Sequence, residues 1–187
     1  MAEGGTPRDI VRPLVRTRQY REFSDEPVSD EALDAIMDAA RWSGSSANEQ
    51  RWRFIVIRDV ATLRQLATVG MPQTRGLHSA VAAIAIVLPD EPSRAISDAY
   101  DDGRVSERIL VAATMLGLGS GISWIRSGFQ PAVREVLGLP EDRIVRTIMS
   151  LGHPTEAARR PKSPPGQARR PREEIVFQER WAEPSVG

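Results

Sequence analysis

Arginine offers the first chemistry in this chain. Arg8, Arg12, Arg16, Arg18 and Arg21 lie near the start against a single acid, Asp9, and Arg159, Arg160, Lys162, Arg169, Arg170 and Arg172 lie near the end with no acid among them. Guanidinium forks grip phosphate and carboxylate oxygens in pairs, so either segment could hold a small anion. A second candidate is Gly117-Leu118-Gly119-Ser120-Gly121. A dinucleotide-binding glycine loop follows a strand and opens a helix, whereas this run follows an apolar helical pattern and leads into Ile122-Ser123-Trp124-Ile125. Two readings stay open: a helix C-cap with positive φ, or a stretch where missing side chains let the backbone approach a flat ligand. His78 and His153 are the only histidines and stand far apart, which argues against a histidine-rich metal site. Cysteine is absent, removing disulfides, thiolate catalysis and cysteine-bound zinc together. Asp98, Asp101 and Asp102 cluster near the start of a predicted helix, where complementing the helix dipole explains them more simply than a cation site does.

The elements that must carry these residues follow from hydrophobic spacing. A first helix is expected over 10–18. A second starts at an N-cap on Ser29 and runs through Leu33, Ile36, Met37 and Ala40 to Ser43-Gly44. Residues 53–58 read as a short strand, 60–67 as a helix and 70–76 as a loop. Residues 82–88 read as a buried strand, and 95–118 as one long helix apolar nearly all round, whose Ile109–Leu118 face calls for a core or a partner. Gly117, Gly119 and Gly121 would end it. A strand over 122–125, a helix over 131–137 and a strand over 144–151 follow. Beyond Gly152 the proline- and arginine-rich stretch cannot build a core by itself. This order favours an α+β architecture, a mixed or antiparallel sheet flanked by helices, over a regular βαβ series.

At 187 residues the chain suits one domain over 1–187, with 155–187 an extended tail. Its 25 basic and 25 acidic residues cancel, so no whole-protein field favours nucleic acid, while local anion pockets remain available. The longest uncharged apolar stretch, residues 80–88, is under half of what a bilayer-spanning helix needs. With Glu3 and Asp9 in place of a basic start, nothing reads as a secretory signal, and a cytoplasmic location is expected.

Three blocks in register carry a resemblance. They are Thr17-Arg18-Gln19-Tyr20-Arg21-Glu22-Phe23 with Glu26-Pro27-Val28-Ser29; the run from Ala39 through Arg41-Trp42-Ser43-Gly44-Ser45-Ser46-Ala47-Asn48-Glu49-Gln50-Arg51-Trp52 to Asp59; and Ala112-Ala113-Thr114-Met115-Leu116-Gly117-Leu118-Gly119, then Leu151-Gly152-His153-Pro154 and Arg169-Arg170-Pro171. Over nearly its whole length the chain resembles the FMN-dependent nitroreductase family. The resemblance implies an intertwined homodimer with two FMN sites built from both subunits. By the same resemblance Arg18, Gln19 and Arg21 fall on the phosphate-binding positions, with Arg169 and Arg170 completing them from the tail. Ser45, Ser46, Asn48 and Gln50 match the loop laid against the partner's flavin ring and ribityl chain, and Gly119, Ser120 and Gly121 match the backbone near the ring and its N5 atom. The implied activity passes hydride or electrons from NAD(P)H through FMN to a nitroaromatic, quinone or similar small acceptor. Flavin fragmentation, dehalogenation or azoline oxidation, and a non-catalytic FMN-sequestering protein, are the alternatives. The dehalogenating lid would follow residues 66–79, a segment here short and without an acid, tyrosine and lysine set. Thr17 stands where the family usually has a second arginine, Gln19 where it has serine, and Gly44 and Arg51 where it has prolines. These departures predict a weaker hold on FMN and a looser loop.

Overall fold

Short, mostly buried apolar runs build a four-stranded sheet in the computed structural model, which describes residues 5–164 and 166–181. The central strand β2 (Ala82–Pro89) is buried on both faces. Its Ala82, Ile84, Ile86 and Leu88 enter one core, and Ala83, Ala85 and Val87 the other. It pairs antiparallel with β1 (Arg53–Ile57) and β4 (Arg143–Gly152), and β3 (Gly119–Trp124) adds to the far side of β4, giving the order β1-β2-β4-β3. Helices α3 (Asp30–Arg41) and α5 (Ala95–Met115) cover the first face, while α4 (Val60–Val69) and α6 (Gln130–Leu137) cover the second. Ser29 caps α3 by accepting from the Ala32 amide at 3.2 Å, and Asp59 caps α4 through Thr62 at 2.7 Å. A short helix over Glu156–Arg159 follows β4.

Three expectations change. The first helix is two pieces, α1 (Pro7–Ile10) and α2 (Arg12–Arg16), because Pro13 has no N–H to continue a single ladder. The long helix stops at Met115. Only Gly117, at φ +74°, serves as its positive-φ terminator, and Gly119 and Gly121 lie inside β3. Ile109, Leu110, Ala113 and Leu118 are buried in the chain's own core, so they do not await a partner; Met115 and Leu116 stay exposed beside them in sequence.

The aspartates of α5 also depart from a helix-dipole account. Only Asp98 lies in the first turn, and all three are buried against tertiary partners. Asp102 accepts from the Thr147 hydroxyl at 2.7 Å, tying α5 to β4. Burial outweighs that bond and the nearby Arg146 charge, pushing the Asp102 carboxyl from 3.8 up to about 6. A carboxyl whose folded pKa is raised favours the folded state most when protonated. Its contribution therefore falls as pH rises from about 4 through 6, by about 3 kcal/mol in all. Asp102→Asn is expected to remove that loss. Its stability relative to wild type in urea unfolding should climb between pH 4 and pH 7 and then level off; a pH-independent difference would refute the assignment.

Candidate functional site

The arginine-bearing segment 18–21 is fixed to the sheet through its backbone. The Tyr20 amide donates to the Ser120 carbonyl at 2.8 Å, and Gln19 pairs with Ser120 as a parallel bridge on the free edge of β3. The glycines make room for this contact. A Cβ on Gly121 would lie 2.2 Å from the Tyr20 carbonyl oxygen, and one on Gly119 would lie 2.5 Å from Pro154 Cγ. Gly119, Ser120 and Gly121 are consequently buried under Tyr20 and Pro154, with Ser120 wholly inside. The space their missing side chains leave is taken by the chain itself, which corrects the expectation that this stretch faces a flat ligand. The β3 residues that reach an open groove are Ile122 and Trp124.

Two hollows flank segment 18–21. The first, about 230 Å³, gathers Arg18 and Gln19 with Arg160 and Lys162 along the tail at Ala168. Arg18 is anchored there: its Nε donates to the Tyr20 hydroxyl at 2.8 Å and its Nη2 to the carbonyls of Ala158 and Arg159. Arg169 bonds its neighbour's carbonyl and Arg170 pairs with Glu174 at 3.0 Å, so the tail cations in this hollow are Arg160 and Lys162 in place of the expected pair. The second hollow, about 260 Å³, is lined by Arg21, Gln73 and Arg75 over Ile122 and Trp124. Gln19 joins the two. Its Oε1 accepts from the Ile122 amide at 3.2 Å and from Arg21 at 3.1 Å, a span that serine could not bridge. Gln73 Oε1 is buried without a partner among the described residues. Sequence reasoning left Gln73 and Arg75 in a featureless loop, since only the fold brings 72–75 to β3.

The loop 44–50 lines a different hollow, about 370 Å³, through Gly44, Asn48 and Gln50 beside Arg41, Trp42 and Ser43. Within one chain the structure does not bring Ser45, Ser46, Asn48 and Gln50 to Arg18 and Arg21. The loop is sharply folded, with positive φ at Ala47, Asn48 and Gln50. Ser45 Oγ accepts from the Gln50 amide at 3.0 Å, and both carboxylate oxygens of Asp101 take the Ser46 amide at 3.0 and 3.1 Å. Arg51 supplies the stiffness that a proline would: it reaches Glu91 at 2.7 Å and buried Asp98 at 3.1 Å, while Arg94 holds Glu49 at 2.6 Å. The hydrogen bond from Arg51 keeps the Glu91 carboxyl below its usual value.

Comparisons with known proteins point to one family and one fold. A sequence profile described as the nitroreductase family matches residues 14–77. An Archaeoglobus fulgidus relative, assigned by its name to the NADH dehydrogenase/NAD(P)H nitroreductases, is 34% identical over 157 residues, covering 79% of this chain and 87% of its own. The oxygen-insensitive NADPH nitroreductase of Salmonella typhimurium is 30% identical, covering 91% and 74%. Among solved structures, an FMN-dependent nitroreductase of Clostridium difficile superposes with a TM-score of 0.77 at 26% identity, covering 90% of this chain and 98% of that one.

If Arg51 clamps the loop, Arg51→Ala strands Asp98 and should cost about 3–5 kcal/mol, as removal of one partner of a buried ion pair does. Adding Asp98→Ala should recover much of it. Urea unfolding of both single variants and the double variant measures the coupling, and additive losses would deny the clamp.

Proposed function

This chain belongs to the nitroreductase family, and from that premise we propose that it is a homodimeric, cytoplasmic FMN-dependent oxidoreductase that passes electrons from NAD(P)H to a small organic acceptor. The observation that carries the cofactor reading is the pair of adjoining hollows about segment 18–21. A phosphate dianion suits the first, where Arg18, Arg160 and Lys162 converge and Lys162 and Arg160 bring charge to an already anchored Arg18. A flat ring with C=O edges suits the second: Ile122 and Trp124 give an apolar floor, and Arg21 and Arg75 can donate. Bound FMN would supply the electron transfer itself.

The remaining work falls to the chain. Segment 18–21 would hold the phosphate end, Gln19 braces Arg21 against Ile122 between the two hollows, and Trp124 would shield the ring from water. The loop 44–50 presents Ser45, Asn48 and Gln50, neutral groups fit to bond a ring edge without adding charge, from a place no single chain brings to segment 18–21. A second subunit resolves that separation. Exposed apolar residues on α1, α2 and the end of α5, namely Ile10, Leu14, Val15, Met115 and Leu116, offer surface for such a partner, as do Ile175 and Trp181 of the tail. Sedimentation should therefore give a dimer at micromolar concentration, and a stable monomer would count against the shared site.

FMN should bind more tightly than riboflavin, and Lys162→Ala and Arg18→Ala should each weaken FMN by about 1.5–3 kcal/mol while leaving riboflavin almost unchanged. Anaerobic titration with NADH and NADPH should bleach the flavin absorbance, and an acceptor should restore it. Equal affinity for FMN and riboflavin would dismiss the phosphate hollow, and a bound flavin that neither nucleotide reduces would turn the assignment to a non-catalytic carrier.

A further inference from the structure

A fourth hollow of about 560 Å³ opens between the end of β3, the start of α6 and β4, and it shares Trp124 with the groove of Arg21 and Arg75. Its floor is rigid. Gln130 clasps Val145 through both ends of its amide, donating to the carbonyl at 2.6 Å and accepting from the N–H at 3.2 Å. Arg134 donates to the Arg143 carbonyl at 2.6 Å and pairs with Asp90 at 2.5 Å, so the one lining carboxylate is already neutralised. Two guanidinia keep unspent donors. Arg126 follows β3 and makes no ion pair among the described residues. Arg146 occupies the irregularity where β4 slips against Ile86 and Val87, the kind of bulge that re-aims a side chain. Its Nε is buried and unpaired among the described residues, which leaves the terminal nitrogens as the donors available to the hollow. Asp102 lies close enough to feel the Arg146 charge but is engaged by Thr147. Counting Arg126, Arg134 and Arg146 against Asp90 and Asp102, the hollow retains an excess of positive charge beside an exposed indole.

We propose that this hollow is an acid-recognition subsite that binds a flat, conjugated carboxylate, its carboxylate held by Arg126 and Arg146 and its ring against Trp124. The volume fits a one- or two-ring compound. That the bound acid is the electron acceptor rests on the flavin reading; the binding itself does not. Sharing Trp124 with the flavin groove places the acid's ring end next to the site of electron transfer and makes the preferred acceptors anionic aromatic compounds.

The test is quenching of tryptophan fluorescence in the FMN-free full-length chain by 4-nitrobenzoate and by its neutral counterpart 4-nitrobenzamide. The acid should bind about tenfold more tightly, the worth of one charge-assisted hydrogen bond. Arg126→Ala and Arg146→Gln should each bring the ratio toward one without changing the amide, Trp124→Phe should remove most of the quenching, and Arg108→Ala on the exposed side of α5 should change neither. Equal affinities in wild type, or a preference surviving both arginine variants, overturns the subsite. Should Arg146→Gln fail to fold by circular dichroism, exposed Arg126→Ala with Trp124→Phe decides alone. In the FMN-loaded chain the same variants should raise the KM for the acid about tenfold and leave that for the amide. If FMN does not bind at all, the flavin reading fails while the binding preference still stands or falls by itself.

Discussion

The close approach of segment 19–24 to the edge formed by β3 and β4 is the contact on which the candidate site depends. Tyr20 donates to Ser120 and Ser24 to His153, each at 2.8 Å. The segment can lie so near only because Gly119, Gly121 and Gly152 present no Cβ to Pro154, Tyr20 and Phe23. Glycine within strands gives up packing and backbone entropy, and here the loss is offset by docking an otherwise irregular segment with its amides paired. Arg18, Gln19 and Arg21 thereby acquire fixed origins on a rigid sheet, which is what geometric recognition of an anion requires.

The loop 44–50 reaches a comparable end by different means. Ala47, Asn48 and Gln50 sit at positive φ, a conformation costing of order 1–3 kcal/mol for a residue with a side chain, though less for asparagine. Proline would restrain such a loop by narrowing the unfolded ensemble. Arg51 restrains it instead by charge, through Glu91 and Asp98, while Asp101 takes the Ser46 amide. Burying Asp98 exacts desolvation, so the pair adds little net stability and much specificity of geometry. Replacement of a proline thus leaves the loop held, contrary to the looseness that its sequence suggested.

What could be read from residues alone was local. Residues 82–88 announce themselves as a continuous apolar run, 53–58 by alternation and the helix begun at Ser29 by its N-cap and spacing, because each of these signals lies within a few residues of itself. The fold class and the arginines of the first segment were legible for the same reason, helped by a resemblance carried in three blocks. The roles of Gly119 and Gly121 were not, since the atoms they make room for belong to Tyr20 and Pro154. Nor was the tertiary pairing of Asp101 with Ser46 or of Asp102 with Thr147, each linking residues some fifty positions apart or nearly so. Gln73 and Arg75 sit in a stretch whose composition says only loop, and Lys162 in a basic run that does not say which of its cations is used; their convergence on segment 18–21 is a property of the folded sheet edge.

Net charge also conceals more than it reveals. Acids and bases cancel over the whole chain, yet the structure sorts them. Asp98, Asp90 and Glu49 are spent on Arg51, Arg134 and Arg94, and Asp101 and Asp102 on an amide and a hydroxyl. The cations that line the hollows lie along one run of elements, from Arg18, Arg160 and Lys162 through Arg21 and Arg75 to Arg126 and Arg146. A neutral protein exerts little pull beyond a Debye length of about 8 Å at physiological salt, so an anion gains little from long-range steering and much once inside these hollows. Discrimination between anionic and neutral ligands therefore resides in the bound state, in how long the ligand stays, more than in how fast it arrives.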